Sequence, residues 1–229
     1  MQDIVIGVVL ELKEIEGSLK YLINSNYIEA IVHSMPKGGR VILKKITYED
    51  TMEKLNVDGI VLIGGGIFAK SVKNKPSLYE ANPQRYNFEK SLLEYCYEKK
   101  LPVLGICRGF QMMNEVFGGN VDYIKINSKV NHQAKVKHTV KLLKNSLLEK
   151  IYKKSVLLVN SAHHKHITTV SDNFIISAVS EDGLIEAIES KFKPFFMGVQ
   201  WHPEALEEAD SNLLFKYFLK YCLDMKLDS

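Results

Sequence analysis

The sequence predicts an α/β protein: a mostly parallel central sheet with helices on both faces, followed by a strand-rich, partly antiparallel C-terminal half. Three observations predict it. Continuous β-branched runs suit strands buried on both faces, helical periodicity fills the intervals between them, and the first half alternates β and α.

The elements follow in order. "DIVIGVV" near the start is a buried strand. "SLKYLINSNYIEAIVHSM" shows helical spacing through Leu19, Leu22, Ile23, Ile28, Ile31 and Val32, so a helix is expected there. "RVILKKI" is a short strand, Thr47 is placed to cap a helix over "YEDTMEKLN", and "VDGIVLI" is a second buried strand that stops at Gly64, Gly65 and Gly66. A long loop leads to a helix in "RYNFEKSLLEYCYEKK", a strand in "PVLGI" and a helix in "GFQMMNEVF", which Gly118 and Gly119 close. From Asn120 onward "HTVKLL", "SVLLVNS", "FIISAVS", "LIEAIES" and "PFFMGVQW" read as strands, with Asp182-Gly183 a hairpin turn between the third and fourth. "SNLLFKYFLKYCLDM" is an amphipathic helix expected to cover the sheet. Neither repeats nor linkers interrupt the chain, so residues 1–229 read as one domain.

Composition narrows the function classes. With 46% hydrophobic and 25% charged residues, the 229-residue chain has enough apolar material for a substantial core. Its formal charge of +3 arises from 30 basic and 27 acidic residues that are interspersed, so no basic stripe invites nucleic acid. Lysine-rich patches such as "LEKIYKK" read as solvated helix faces. The opening "MQDIVIGVVLELKE" lacks the pattern of a signal peptide, and no apolar run approaches the roughly 20 residues of a membrane span. A cytoplasmic protein is therefore expected. Cys96, Cys107 and Cys222 are an odd number without metal-ligand spacing, which argues against a disulfide framework and against a zinc site.

Chemistry concentrates at Cys107. Gly105-Ile106-Cys107-Arg108-Gly109 places a cysteine between glycines at a strand-to-helix junction, the arrangement in which a tight elbow presents a nucleophile. A helix N-terminus favours thiolate over thiol, and the free N–H of Arg108 is placed to donate to an oxyanion. Cys96 and Cys222, each within a helical apolar face, read as small buried hydrophobes. A thiolate nucleophile needs a base, and among seven histidines His202 in "GVQWHPEAL" is the best placed, at the C-terminal end of a strand. Pro203 biases His202 to extended geometry, and Glu204, two residues on, can fix the imidazole tautomer.

"GICRGFQ" with "QWHPE" downstream resembles the class I glutamine amidotransferase superfamily. "GICRG", "HTV", "VNSAHH", "EDGLIEAIE" and "GVQWHPE", in that order, are most similar to its γ-glutamyl-γ-aminobutyrate hydrolase branch, cysteine peptidase family C26. The resemblance implies a flavodoxin-like three-layer sandwich and a Cys107/His202/Glu204 triad. It also implies an oxyanion hole that combines the Arg108 N–H with one from the Gly64-Gly65-Gly66 turn, represented by Gly65 and Gly66. Gln111 and His163 match positions on the substrate side in relatives. No cofactor is implied.

The chain departs from the family pattern at Ile67, where an acid is usual, and at Lys165, where relatives carry glutamine. His163, His164 and His166 suggest a metal at first sight, but no carboxylate or cysteine cluster accompanies them, so none is assigned. His33 and His132 read as structural; for His138, which matches an H-x-V strand start, structural and catalytic roles both stay open. The expected function is a hydrolase acting on a small-molecule γ-glutamyl substrate, with neither nucleic acid nor membrane as partner. Two alternatives stand beside it: a glutaminase subunit passing ammonia to a separate synthetase, and a non-catalytic thiol sensor or ligand-binding module. A homodimer is compatible with either.

Overall fold

The computed structural model describes residues 2–65, 77–124, 130, 132, 136–192, 195–206, 210 and 212–228. Strands β1 (Gln2–Val9), β2 (Glu11–Ile15) and β3 (Ser18–Leu22) open the chain and lead into α1 (Ser25–His33). After β4 (Gly39–Ile46) and β5 (Gly59–Leu62) come α2 (Leu78–Ala81), α3 (Pro83–Glu98), β6 (Val103–Ile106) and α4 (Arg108–Val116). The second half holds β7 (Asn120–Tyr123), β8 (Lys137–Leu142), α5 (Leu147–Tyr152), β9 (Val156–Asn160) and β10 (Lys165–Thr169). It continues with β11 (Phe174–Ser180), β12 (Ile185–Ser190), β13 (Phe196–Val199) and the closing helix α6 (Leu213–Leu227).

One sheet runs β4-β1-β5-β6-β13-β12-β11-β8-β9. Its first five strands pair in parallel, which reproduces the 2-1-3-4-5 order of flavodoxin-like sheets. From β13 onward every pairing is antiparallel, and β10 bridges β12 to β7.

Side-chain alternation divides the core into two layers. Ile4, Ile6, Val8, Val61 and Leu104 pack with Tyr27, Ile31, Leu214 and Phe218 on one face. Val9, Ile60, Leu62 and Val103 pack with Phe88, Leu92, Phe110 and Met113 on the other. Helix α4 lies directly on the sheet because two glycines meet there. A Cβ at Gly105 would stand 2.5 Å from Met113 Sδ, and one at Gly109 would stand 2.4 Å from the Leu62 carbonyl oxygen. The glycines flanking Cys107 thus serve helix–sheet contact as well as the elbow.

Two expectations fail. Residues 18–22 form a strand, because Glu16 and Gly17 both take positive φ (52° and 74°) in a two-residue hairpin turn that pairs β3 with β2. The helix begins only after Asn24, whose side chain accepts from the Asn26 N–H. Thr47 caps no helix: Asp50 Oδ2 accepts from its N–H at 2.7 Å and its hydroxyl at 3.0 Å, and only a 3₁₀ turn forms at Met52–Lys54. Strands β7 and β10, which pair with each other, were not anticipated. No helix among the described residues is long and apolar enough to cross a membrane.

Candidate active site

Cys107 follows β6 directly and precedes α4 with φ 52° and ψ −101°. A β-carbon residue held there is strained by about 1–3 kcal/mol, and such strain is characteristic of a nucleophile elbow. The conformation is fixed from both sides: the Cys107 N–H donates to the Val199 carbonyl at 2.8 Å, and its own carbonyl accepts from the Gln111 N–H at 3.1 Å. Arg108 is the first residue of α4, where a backbone N–H has no partner within the helix.

His202 follows β13 and begins the 3₁₀ turn Pro203–Ala205, which folds Glu204 back onto it. Glu204 Oε1 lies 2.6 Å from His202 Nδ1. Asn160, at the end of β9, holds the His202 backbone twice, accepting its N–H and donating to its carbonyl, each at 2.8 Å. With Nδ1 engaged, His202 Nε2 is buried without a hydrogen-bond partner among the described residues. Burial opposes charging of this imidazole, but its interactions with Cys107 and Glu204 outweigh it, so its pKa stands well above the ordinary histidine range.

The glycine turn abuts this pair. A Cβ on Gly64 would come within 2.8 Å of His202 Cε1 and 3.3 Å of Cys107 Cβ, so a side chain is excluded there. The Gly64 N–H is committed to Tyr27 Oη at 3.0 Å, and the same hydroxyl stands 3.4 Å from His202 Nδ1. Gly65 has φ 103°, and a Cβ there would stand 2.8 Å from Glu11 Oε2; Gly66 and Ile67 lie outside the described residues. Arg85 pins the turn from below, donating to the carbonyls of Ile63 (3.1 Å) and Gly64 (3.3 Å). It is buried and pairs with Glu89, which also receives the Arg108 guanidinium. Burial pushes the Glu89 carboxyl up, yet Arg108 and Arg85 together hold it below the usual carboxylate range.

A cleft of about 790 Å³ opens beside His202 and Glu204, walled by Tyr27, Gly64 and Gly65 and by Glu11 and Leu22 of the hairpin. Gln111 is buried, its amide donating to Gln200 (2.9 Å) and to the Lys165 carbonyl (3.1 Å). His163 is likewise buried, with Nδ1 on the Lys165 carbonyl at 2.9 Å and Nε2 3.6 Å from Glu186 Oε1. The Lys165 ammonium rests over the Tyr123 ring at 4.8 Å. Tyr27, Asn160, Arg85 and Glu89 were not singled out from the sequence. Asn160 alone sat inside a motif already noted, "VNSAHH".

A family profile described as peptidase C26 matches residues 4–204. A glutamine amidotransferase-like protein of Rickettsia prowazekii is 33% identical, across 87% of this chain and 89% of its own. The γ-glutamyl-γ-aminobutyrate hydrolase of Escherichia coli is 30% identical, across 97% and 94%. Among solved structures, the glutaminase domain of Trypanosoma brucei CTPS with bound acivicin superposes with a TM-score of 0.73 at 17% identity, covering 96% of this chain and 94% of that one. That likeness is one of fold.

Proposed function

The chain belongs to the peptidase C26 family, and from that premise we propose that it hydrolyses the γ-amide bond of γ-glutamyl-γ-aminobutyrate or a related γ-glutamyl compound through a thioester at Cys107. The observation that carries the reading is the 2.6 Å contact between Glu204 and His202 Nδ1, which leaves Nε2 for the thiol at the strained elbow. A raised imidazole pKa keeps His202 protonated over a wide pH range, as the proton donor to the leaving amine needs to be.

In the first half-reaction Cys107 Sγ forms a bond to the γ-carbonyl carbon, and the carbonyl electrons move to oxygen. The N–H groups of Arg108 and Gly65 support that oxyanion. Collapse breaks the C–N bond, and His202 Nε2 passes its proton to the departing amine. Water then attacks the thioester, gives a proton to His202, and expels the Cys107 thiolate as glutamate leaves. Glu204 holds the imidazole in the tautomer that both proton transfers need.

Released glutamate and free amine are to be measured over a panel of γ-glutamyl amines that includes glutamine. Turnover of the γ-glutamyl amines is expected; inactivity across the whole panel overturns the reading. Turnover of glutamine alone, and only with a synthetase present, transfers the site to ammonia supply.

A further inference from the structure

The antiparallel half gathers three imidazoles around one carboxylate. Glu186 on β12 is fully buried, and so, to within a few percent, are His132 before β8, His138 on β8 and His163 between β9 and β10. Glu186 Oε1 lies 3.4 Å from His138 Nε2, 3.5 Å from His132 Nδ1 and 3.6 Å from His163 Nε2. One donor atom from each of His132, His138 and Glu186 falls within 4.8 Å of the other two.

These contacts do not satisfy the groups that make them. Both Glu186 oxygens, both His138 nitrogens and His163 Nε2 are buried without hydrogen-bond geometry to any described residue. The outward nitrogens of two rings are already spoken for: His163 Nδ1 faces the Lys165 carbonyl at 2.9 Å, and His132 Nε2 faces Asp182 Oδ2 at 3.2 Å. His132 Nδ1 also lies 3.3 Å from Ser161 Oγ, whose hydroxyl donates to the His132 carbonyl at 2.9 Å. Buried polar atoms left without partners are costly, and a bound cation supplies them with one.

We propose that His132, His138, His163 and Glu186 bind a divalent transition-metal ion, with zinc the best match. Three imidazoles and a carboxylate suit zinc, and donor atoms around a tetrahedral zinc stand roughly 3.3–3.4 Å apart, close to the spacings from Glu186. Four protein donors close the sphere, so the role is structural. The ion ties His132 to β8, β12 and the β9–β10 connection, which begins just after the Asn160 clamp on His202. The site shares no residue with Cys107, His202 or Glu204.

The full chain, produced untagged, is assayed for metal by inductively coupled plasma mass spectrometry and titrated with zinc and with cobalt(II). One zinc per chain is expected, with the visible ligand-field absorption of tetrahedral cobalt(II). A fall in Tm on chelation that zinc reverses is expected as well. Glu186→Gln and His138→Gln should weaken zinc binding by roughly 100-fold or more, whereas Cys107→Ala should keep it. Wild-type protein that takes up neither ion, binding unchanged in Glu186→Gln, or binding lost in Cys107→Ala overturns the proposal. Should both ligand variants fail to fold, the cobalt spectrum of wild type and Cys107→Ala decides it.

Discussion

The parallel and antiparallel halves of the sheet each set histidine beside glutamate, and the two sets differ in how closely they touch. At the end of β13, His202 and Glu204 meet at 2.6 Å beside an open cleft. Around β12, three histidines stand 3.4–3.6 Å from Glu186 in a closed interior. Under the proposed function the short contact shares a proton and orients one ring for chemistry, whereas the wider fan has the spacing of a ligand sphere. Residue type is the same in both; separation and exposure assign the roles.

The sharpest separation of the halves comes from Cys107→Ala. Hydrolysis of γ-glutamyl substrate should fall by about 10⁴-fold or more in steady-state kinetics, with no change in metal content. Next, Glu204→Gln should lower kcat by about 10²–10⁴-fold by releasing the His202 tautomer. It should also move the pH profile. Burial works against the charge on His202, but Cys107 and Glu204 hold its pKa well up, so wild-type activity should persist far to the alkaline side of pH ~6.5 and the variant's alkaline limb should shift down. The same charge contributes stability that is fully present below pH ~6.5 and is lost as pH rises through the raised folded value. His202→Gln should therefore cost most in denaturant melts at acidic and neutral pH and least in alkali.

Glu186→Gln tests the other half: metal is lost and Tm falls by several degrees in a thermal melt, at about 2–4 °C per kcal/mol for a chain of this size. Its kcat should change far less than that of Glu204→Gln. The smallest effect is expected from Tyr27→Phe, which leaves the Gly64 N–H without its acceptor. About 1–3 kcal/mol of stability should disappear in urea unfolding, with up to about a tenfold loss in kcat.

The parallel half was legible in the sequence because its signals are local. Buried strands are continuous apolar runs, the elbow is a contiguous pentapeptide, and Glu204 sits two residues from the ring it orients. The β2–β3 hairpin was misread because Leu19 and Leu22 fit a helical spacing, while the turn signal, Glu16-Gly17, is only two residues long. The Glu186 cluster was illegible for another reason. His163, His164 and His166 lack a neighbouring carboxylate in sequence, and the antiparallel pairings deliver one from β12 together with His132 and His138. His164 and His166 stay outside that group. Tyr27 and Asn160 were hidden in the same way, since each reaches His202 only through tertiary packing.

The central claim is covalent chemistry at Cys107, and it is tested most directly by acid-quenching the enzyme during turnover of a γ-glutamyl amine and mapping the acyl group by peptide mass spectrometry. A γ-glutamyl thioester on the Cys107 peptide, absent in Cys107→Ala and absent once substrate is exhausted, is the predicted result. Sustained turnover with no acyl group on Cys107, or undiminished turnover by Cys107→Ala, would contradict it.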